Sequence, residues 1–312
     1  MSRLKSFGKQ IFARGANWFL VALLSIALVL TACSPTEQTP IEYVFDDLGR
    51  LVAINGTPQR IVSLAPSNTE ILFALGLGDK VVGVTDWCDY PPEALDKEKV
   101  GSYDIPNIEK IVTLTPDLIL AAHGTSIDVI NTLEGLGLTV FGIKTIDLDD
   151  LLNDIRRVGE ITDKELEAQA LTYEMESRIQ AVTDQTEQLE QRPRVFYIIW
   201  HDPLWTAGAG TFIHELIEKG GGVNICQNIT GYATISIEEV VARDPEIIIT
   251  SELSYDWAIN ATGPLASTNA SQTDRIFTCD DNLVQRPGPR LVEGLEWFAY
   301  FIHPEIFEEP ED

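Results

Sequence analysis

Apolar residues in this chain come either as short unbroken runs or as helical stripes, and the two kinds alternate. Ile61-Val-Ser-Leu64, Val81-Val-Gly-Val84, Asp117-Leu-Ile-Leu-Ala-Ala122 and Thr139-Val-Phe-Gly-Ile143 are runs of the length and composition that predict buried strands. Helices are predicted between and after them: Asn68 to Leu75, ended by Gly76; Ile108 to Leu114, capped by Asn107 and stopped by Pro116; Ile127 to Leu136; and Leu148 to Val158. A hairpin precedes them, Tyr43-Val-Phe45 and Leu51 to Ile54 about an Asp47-Leu-Gly49 turn. Strands separated by helices predict a parallel sheet covered on both faces.

The second half repeats the plan. Ile108-Glu-Lys-Ile-Val-Thr-Leu-Thr-Pro-Asp-Leu-Ile-Leu120 aligns with Ile237-Glu-Glu-Val-Val-Ala-Arg-Asp-Pro-Glu-Ile-Ile-Ile249, helix, proline stop and strand in one register, with Glu109 opposite Glu238. Arg60-Ile-Val-Ser-Leu64 likewise matches Arg194-Val-Phe-Tyr-Ile198. A repeat of half the chain argues for two similar lobes and against a solenoid. Between them, 164–191 contains no Gly or Pro, and Leu171, Met175, Ile179, Val182 and Leu189 form one apolar stripe. The expected fold is therefore α/β: lobes at 41–163 and 192–312, each a mostly parallel sheet flanked by helices, joined by one long rigid helix. The stripe covers too few heptads for a coiled-coil dimer, so a monomer is expected.

The N-terminus has a different character. Arg3, Lys5, Lys9 and Arg14 lead into an apolar run from Trp18 to Leu30 and then Thr31-Ala32-Cys33. Basic, apolar and small-residue regions in that order describe an export signal over 1–33, too short in its apolar part to be read as a span. Leu30-Thr31-Ala32-Cys33 resembles a bacterial lipobox, in which Cys33 would be acylated. The polar, Pro-containing stretch 34–40 suits a tether from lipid to domain.

The chain has 22 Lys and Arg against 48 Asp and Glu; without the four basic residues of the leader, 18 against 48 leaves −30. That charge disfavours nucleic acid as a partner. Outside the cytoplasm a disulfide among Cys88, Cys226 and Cys279 is permissible, and the odd number leaves one thiol over. No Gly-x-Ser-x-Gly occurs, His214-Glu-Leu-Ile-Glu218 lacks the second histidine of a zincin, and Gly208-Ala-Gly210 lacks a third glycine. No catalytic constellation can be assembled, so an enzyme is not expected.

Pro58-Gln-Arg-Ile-Val-Ser-Leu-Ala-Pro-Ser-Asn-Thr-Glu70, Asp89-Tyr-Pro-Pro-Glu-Ala94, Asn107-Ile-Glu109, Pro116-Asp-Leu-Ile119 and Arg286-Pro-Gly-Pro-Arg290, in this order and spacing, resemble the helical-backbone class of periplasmic binding proteins. That class serves cobalamin, siderophore and haem importers, and the first two motifs look most like its cobalamin-binding members. The resemblance implies a rigid helix between two lobes, a ligand cleft between them, and partnership with an ABC permease and its ATPase. It further implies a transported corrinoid, with no catalytic cofactor, and cleft aromatics at Trp87, Tyr103, Trp200, Trp205 and Tyr232. An acidic loop ahead of Arg286 makes Asp280 and Asp281 candidates for the ligand edge. Where the family carries one further aromatic, this chain has Ala122, beside His123. The paired glutamates by which the family docks onto permease arginines correspond to Glu109 and Glu238. A haem or ferric-siderophore receptor is the alternative, because His123 and His201 fall at strand ends expected to face the cleft and could ligate a metal.

Overall fold

The computed structural model describes residues 41–260 and 262–310. The expectations for the export signal, Cys33 and the tether lie outside these residues. No helix among the described residues is long and apolar enough to cross a membrane. The first lobe is built on a five-stranded sheet in the order Glu98–Lys99, Val81–Val84, Ile61–Ser63, Leu118–Ala122, Val140–Ile143, with every pairing parallel. The second has Val223–Asn224, Arg194–Ile198, Ile247–Thr250 and Ile276–Thr278, again all parallel. The central strands are buried along nearly their whole length, as parallel strands covered by helices on both faces must be. What the apolar pattern did not predict is a small antiparallel sheet in the second lobe, Trp200–His201, Leu204–Ala207 and Tyr232–Thr234, lying among the aromatics.

The half-chain repeat extends to individual hydrogen bonds. Asn107 caps the helix Ile108–Thr113 through Lys110 N, and Ser236 caps Ile237–Arg243 through Glu239 N. Each helix is followed by a residue at φ 46°, Thr115 and Asp244, directly before the proline. Arg60 Nε and Nη2 donate to Leu114 O at 3.0 and 2.7 Å, and Arg194 Nε donates to Asp244 O at 2.9 Å. The carboxylates that follow the prolines, Asp117 and Glu246, accept the backbone N–H of Arg60 and Arg194 at 2.9 and 3.0 Å. Glu109 and Glu238 therefore occupy equivalent first-turn sites, and both are exposed.

The linking helix covers Glu165–Thr186, shorter than the 164–191 its composition predicted, and its 22 residues span about 33 Å. Composition permits it to continue; tertiary contacts draw the chain away. The Thr186 hydroxyl donates to Lys219 O at 2.7 Å, and the Arg192 guanidinium bonds Glu218 O and Gly222 O, fixing the exit into the strand at Arg194. At the other end the helix packs on Leu148–Ile161. Gly159 allows that approach, because a Cβ there would lie 2.5 Å from the Ala168 Cβ.

Ion pairs bind the lobes to each other directly. Glu70, from the helix Pro66–Ala74 of the first lobe, accepts two bonds from Arg290 of the second, 2.6 Å from Nη2 and 3.1 Å from Nε. The Glu70 side chain is 2% exposed. The Arg290 guanidinium lies 3.7 Å from the centroid of the Tyr90 ring, a cation–π contact. Asp89 and Arg286 make a second bidentate pair, at 2.5 and 3.3 Å. Gly288 lies between the two arginines, where a Cβ would come 2.9 Å from Glu70 Oε2. Burial pushes the Glu70 carboxyl upward, and the Arg290 guanidinium opposes that push. On a third side Glu215 Oε2 accepts the N–H of Leu148 at 2.7 Å, capping a first-lobe helix from the second lobe. Cys88, Cys226 and Cys279 are all free and buried.

Removing one partner of a buried bidentate pair leaves an uncompensated charge, so Arg290→Met is expected to destabilise the protein by about 3–5 kcal/mol. Glu70→Gln in the Arg290→Met background should recover part of that loss, because the stranded charge is gone. Thermal denaturation of the two variants tests this; equal melting temperatures for Arg290→Met and wild type would show that the pair does not hold the lobes.

Candidate interlobe binding cleft

The carboxyl ends of the strands in both sheets open onto one cavity of about 740 Å³ between the lobes. Ala122 ends the strand Leu118–Ala122 and His123 and Gly124 follow it, Ile199 follows Arg194–Ile198, and two helices begin at the wall, one at Pro66 and one at Phe212. Loops at strand ends can carry a ligand site without disturbing the sheets beneath, the general rule for open α/β sheets. The volume lies within the range of small-molecule sites.

Five of the six expected ligand residues line this cavity: Trp87 and Tyr103 from the first lobe, and Trp205, Tyr232 and Asp281 from the second. Tyr103 and Tyr232 are repeat mates, each four residues ahead of the cap, Asn107 or Ser236, of the helix that follows it. The antiparallel sheet aims the second pair. Trp205 pairs with Thr234 and Ala207 with Tyr232, which puts Trp205 and Tyr232 on one face, while Leu204 and Thr206 turn inward and are buried. The Phe212 ring meets Tyr232 edge-on, with centroids 6.2 Å apart. Trp87 is 61% exposed, and Tyr103, Trp205 and Tyr232 lie between 38% and 45%. Large rings left this open around one cavity are a surface built to be covered.

Three residues that the sequence placed at the cleft, Trp200, His201 and Asp280, lie outside this lining. Trp200 is the cross-strand partner of Trp205 but lies outside the cavity lining, and its indole N–H donates to Asp202 O at 2.7 Å. His201 also lies outside the lining: its ring stacks on Trp257 with centroids 5.5 Å apart, and Nδ1 is 3.1 Å from Ser254 Oγ. His123 does line the cavity, as does Ala122. Asp280 lies outside it, serving as the cap that accepts Asn282 N.

Sequence reasoning missed Phe212, Gln285 and Arg286 as wall residues. The repeat held a signal for the first, since Phe212 begins the second-lobe helix that follows a small-residue loop, as Pro66 does in the first lobe. Burial raises the Asp281 carboxyl to about 6, helped by Glu252 and Asp280 and opposed by a Gln285 amide bond at 2.8 Å. Burial also pushes the Tyr232 phenol up. Beneath the cavity, the Thr145 hydroxyl donates to Asp154 Oδ2 at 2.7 Å. Burial, with the adjacent Asp47 carboxylate, raises Asp154 to about 8. Among the described residues, no group of three or more His, Cys, Asp or Glu is arranged to hold a metal ion.

The sequence profile of the periplasmic binding protein family matches residues 61–283. A substrate-binding lipoprotein of an ABC transporter in Bacillus subtilis (strain 168) is 34% identical, over 95% of this chain and 99% of its own. The crystal structure of the periplasmic vitamin B12 binding protein of Vibrio cholerae superimposes with a TM-score of 0.72 at 33% identity, covering 79% of this chain and 97% of its own. A periplasmic haem-binding protein of Pseudomonas aeruginosa superimposes as well, with a TM-score of 0.71, but at 26% identity, covering 79% and 93%.

Asp154 yields a pH prediction. Its folded pKa is raised above the ordinary carboxylate value, so between about pH 4 and 8 the folded protein holds a proton that the unfolded chain has released. Its contribution to stability is then full at low pH and is lost as pH rises through 8. Asp154→Asn should therefore melt higher than wild type at pH 8.5, by on the order of 5 °C, and match it near pH 4. Melting curves across that range test the assignment; a constant difference at every pH would contradict it.

Proposed function

Because the chain belongs to the periplasmic binding protein family, we propose that it captures a corrinoid in the interlobe cleft and delivers it to the permease of an ABC importer. As a solute-binding protein of this family it is a carrier and not an enzyme, and its ligand is cargo. The observation that carries the corrinoid reading is the aromatic set, Trp87 and Tyr103 facing Trp205 and Tyr232 across the cavity. A corrin is wide, with apolar faces and amide-bearing edges. Rigid rings give such faces large contact area at little entropic cost. Asp281 and Gln285, on the same wall, supply an acceptor and a donor for the amides. The likeness to the Vibrio cholerae vitamin B12 binding protein at 33% identity supports the same cargo, and the haem-binding neighbour at 26% supports it less.

Glu109 and Glu238 are the surfaces offered to the permease. Equivalent, exposed and one on each lobe, they suit a partner carrying two cationic patches, and neither lines the cavity. Acylated Cys33 and the 34–40 tether hold the protein, as a monomer, at the outer face of the cell membrane.

Titration of the purified full-length protein in detergent with cyanocobalamin tests the cargo. Trp87→Ala and Trp205→Ala should each weaken binding at least thirtyfold, about 2 kcal/mol, with little change in melting temperature. Trp200→Ala, outside the lining, should cost less. Wild type that ignores cyanocobalamin at tens of micromolar yet shifts the Soret band of haemin would replace corrinoid with haem.

Uptake of labelled cobalamin by cells tests the rest. Glu109→Lys with Glu238→Lys should abolish uptake at unchanged affinity, and Cys33→Ala should move the protein out of the membrane fraction. Lost ligand affinity in the double variant would put these glutamates in the cleft.

A further inference from the structure

The chain contains four histidines, and three are engaged. His201 meets Ser254 Oγ and stacks on Trp257. His214 Nδ1 lies 3.3 Å from Asn224 Nδ2. His303 is buried between Glu305 Oε1 and Gly221 O, at 3.1 and 3.2 Å. His123 differs from all of them. It is exposed, it lines the interlobe cavity, and no hydrogen bond or ion pair among the described residues engages it.

Its neighbours hold it on the wall. Ala122 ends a strand, and a tight turn closes after it, with Thr125 N donating to Ala122 O at 2.9 Å and Ala122 N to Thr125 Oγ1 at 3.3 Å. Gly124 lets the Tyr103 ring lie against this turn, since a Cβ there would sit 2.9 Å from Tyr103 Cε2. The result is an exposed imidazole in the cavity wall, next in the chain to the glycine on which the Tyr103 ring rests.

A corrin ring fills the four equatorial positions of its cobalt and leaves only axial ones, so a single protein nitrogen suffices to coordinate it. We propose that His123 provides an axial imidazole to the cobalt, so that the cleft prefers corrinoids whose upper axial ligand is exchangeable. This rests on the corrinoid reading above. In the exchange the imidazole lone pair forms a Co–N bond as the Co–OH₂ bond breaks. Water leaves to solvent, cobalt(III) keeps its oxidation state, and no proton moves. Neutral imidazole is a good ligand for late first-row metals.

Aquocobalamin, with labile axial water, and cyanocobalamin, with a tightly held cyanide, are the two probes, applied to full-length protein in detergent. Binding to wild type should shift the aquocobalamin absorption bands to the positions given by free imidazole. His123→Ala should bind aquocobalamin without the shift and at least about tenfold more weakly, equivalent to 1.4 kcal/mol. Relative to wild type, the same variant should lose at least about tenfold more affinity for aquocobalamin than for cyanocobalamin, and His201→Ala should keep the shift. Aquocobalamin bound with an unchanged spectrum, or a shift that survives His123→Ala, overturns axial ligation while leaving the corrinoid reading standing. If equilibrium dialysis retains neither corrinoid, both fall together.

Discussion

The bidentate pair between Glu70 and Arg290 is the contact on which the relation of the two lobes depends. A single helix fixes the spacing of two lobes but leaves them free to rock about it. Here a buried carboxylate from the first lobe is held in the fork of a guanidinium from the second, and that fork admits little change in angle. Tyr90 covers the cation, Gly288 clears the space the carboxylate needs, and the Asp89–Arg286 pair adds a second fixed point nearby. Glu215 capping the Leu148 helix adds a third tie on another side. Arg178, on the linking helix, is joined to Glu296 at 2.9 and 2.7 Å, so the helix is bound to the second lobe along its length.

A cleft held open in this way is ready before its ligand arrives. The cost appears as exposed aromatic surface, which a hinged receptor could bury by closing. Trp87 at 61% exposed is the clearest case. What is gained is a site that need not spend binding free energy on domain closure or side-chain ordering. Arg286 joins the two functions: it lines the cavity and also grips Asp89 in the opposite lobe. The cavity wall and the lobe geometry therefore share one side chain.

The half-chain repeat explains why the surface carries two similar features and not one. In each lobe an arginine at the start of a strand ties down the end of a helix, and the carboxylate after the proline receives that arginine's backbone N–H. This fixes the helix leading into an internal strand of each sheet, and with it the first-turn glutamate and the tyrosine four residues ahead of its cap. Glu109 with Glu238, and Tyr103 with Tyr232, are thus consequences of one duplicated unit. The first pair faces solvent and the second faces the cleft.

Much of this was legible in the sequence. Apolar runs broken by helices and prolines determined two parallel sheets, because a strand buried on both faces has no other composition open to it. The register of Ile108-Glu-Lys against Ile237-Glu-Glu determined the equivalence of the glutamates, because local capping and the proline stop are set within a few residues. Trp87, Tyr103, Trp205 and Tyr232 were legible as cavity-wall residues through the family resemblance, which marks their positions. The rest depended on long-range contact. Trp200 and Trp205 read alike in sequence and, as cross-strand partners, share a face of the small sheet; only Trp205 lines the cavity, while the Trp200 indole N–H is turned to Asp202 O. The linking helix could have run on to residue 191, and it stops at Thr186 because Lys219 and Glu218, distant in sequence, take up the polar groups beyond its end. Glu70 and Arg290 stand 220 residues apart, in motifs whose residues carry no local sign of each other. Which of the two strand-end histidines, His123 or His201, would remain free was likewise undecided until the fold gave His201 Trp257 and Ser254 as neighbours. Local pattern reports what a segment must bury, and only tertiary structure decides which distant group meets it there.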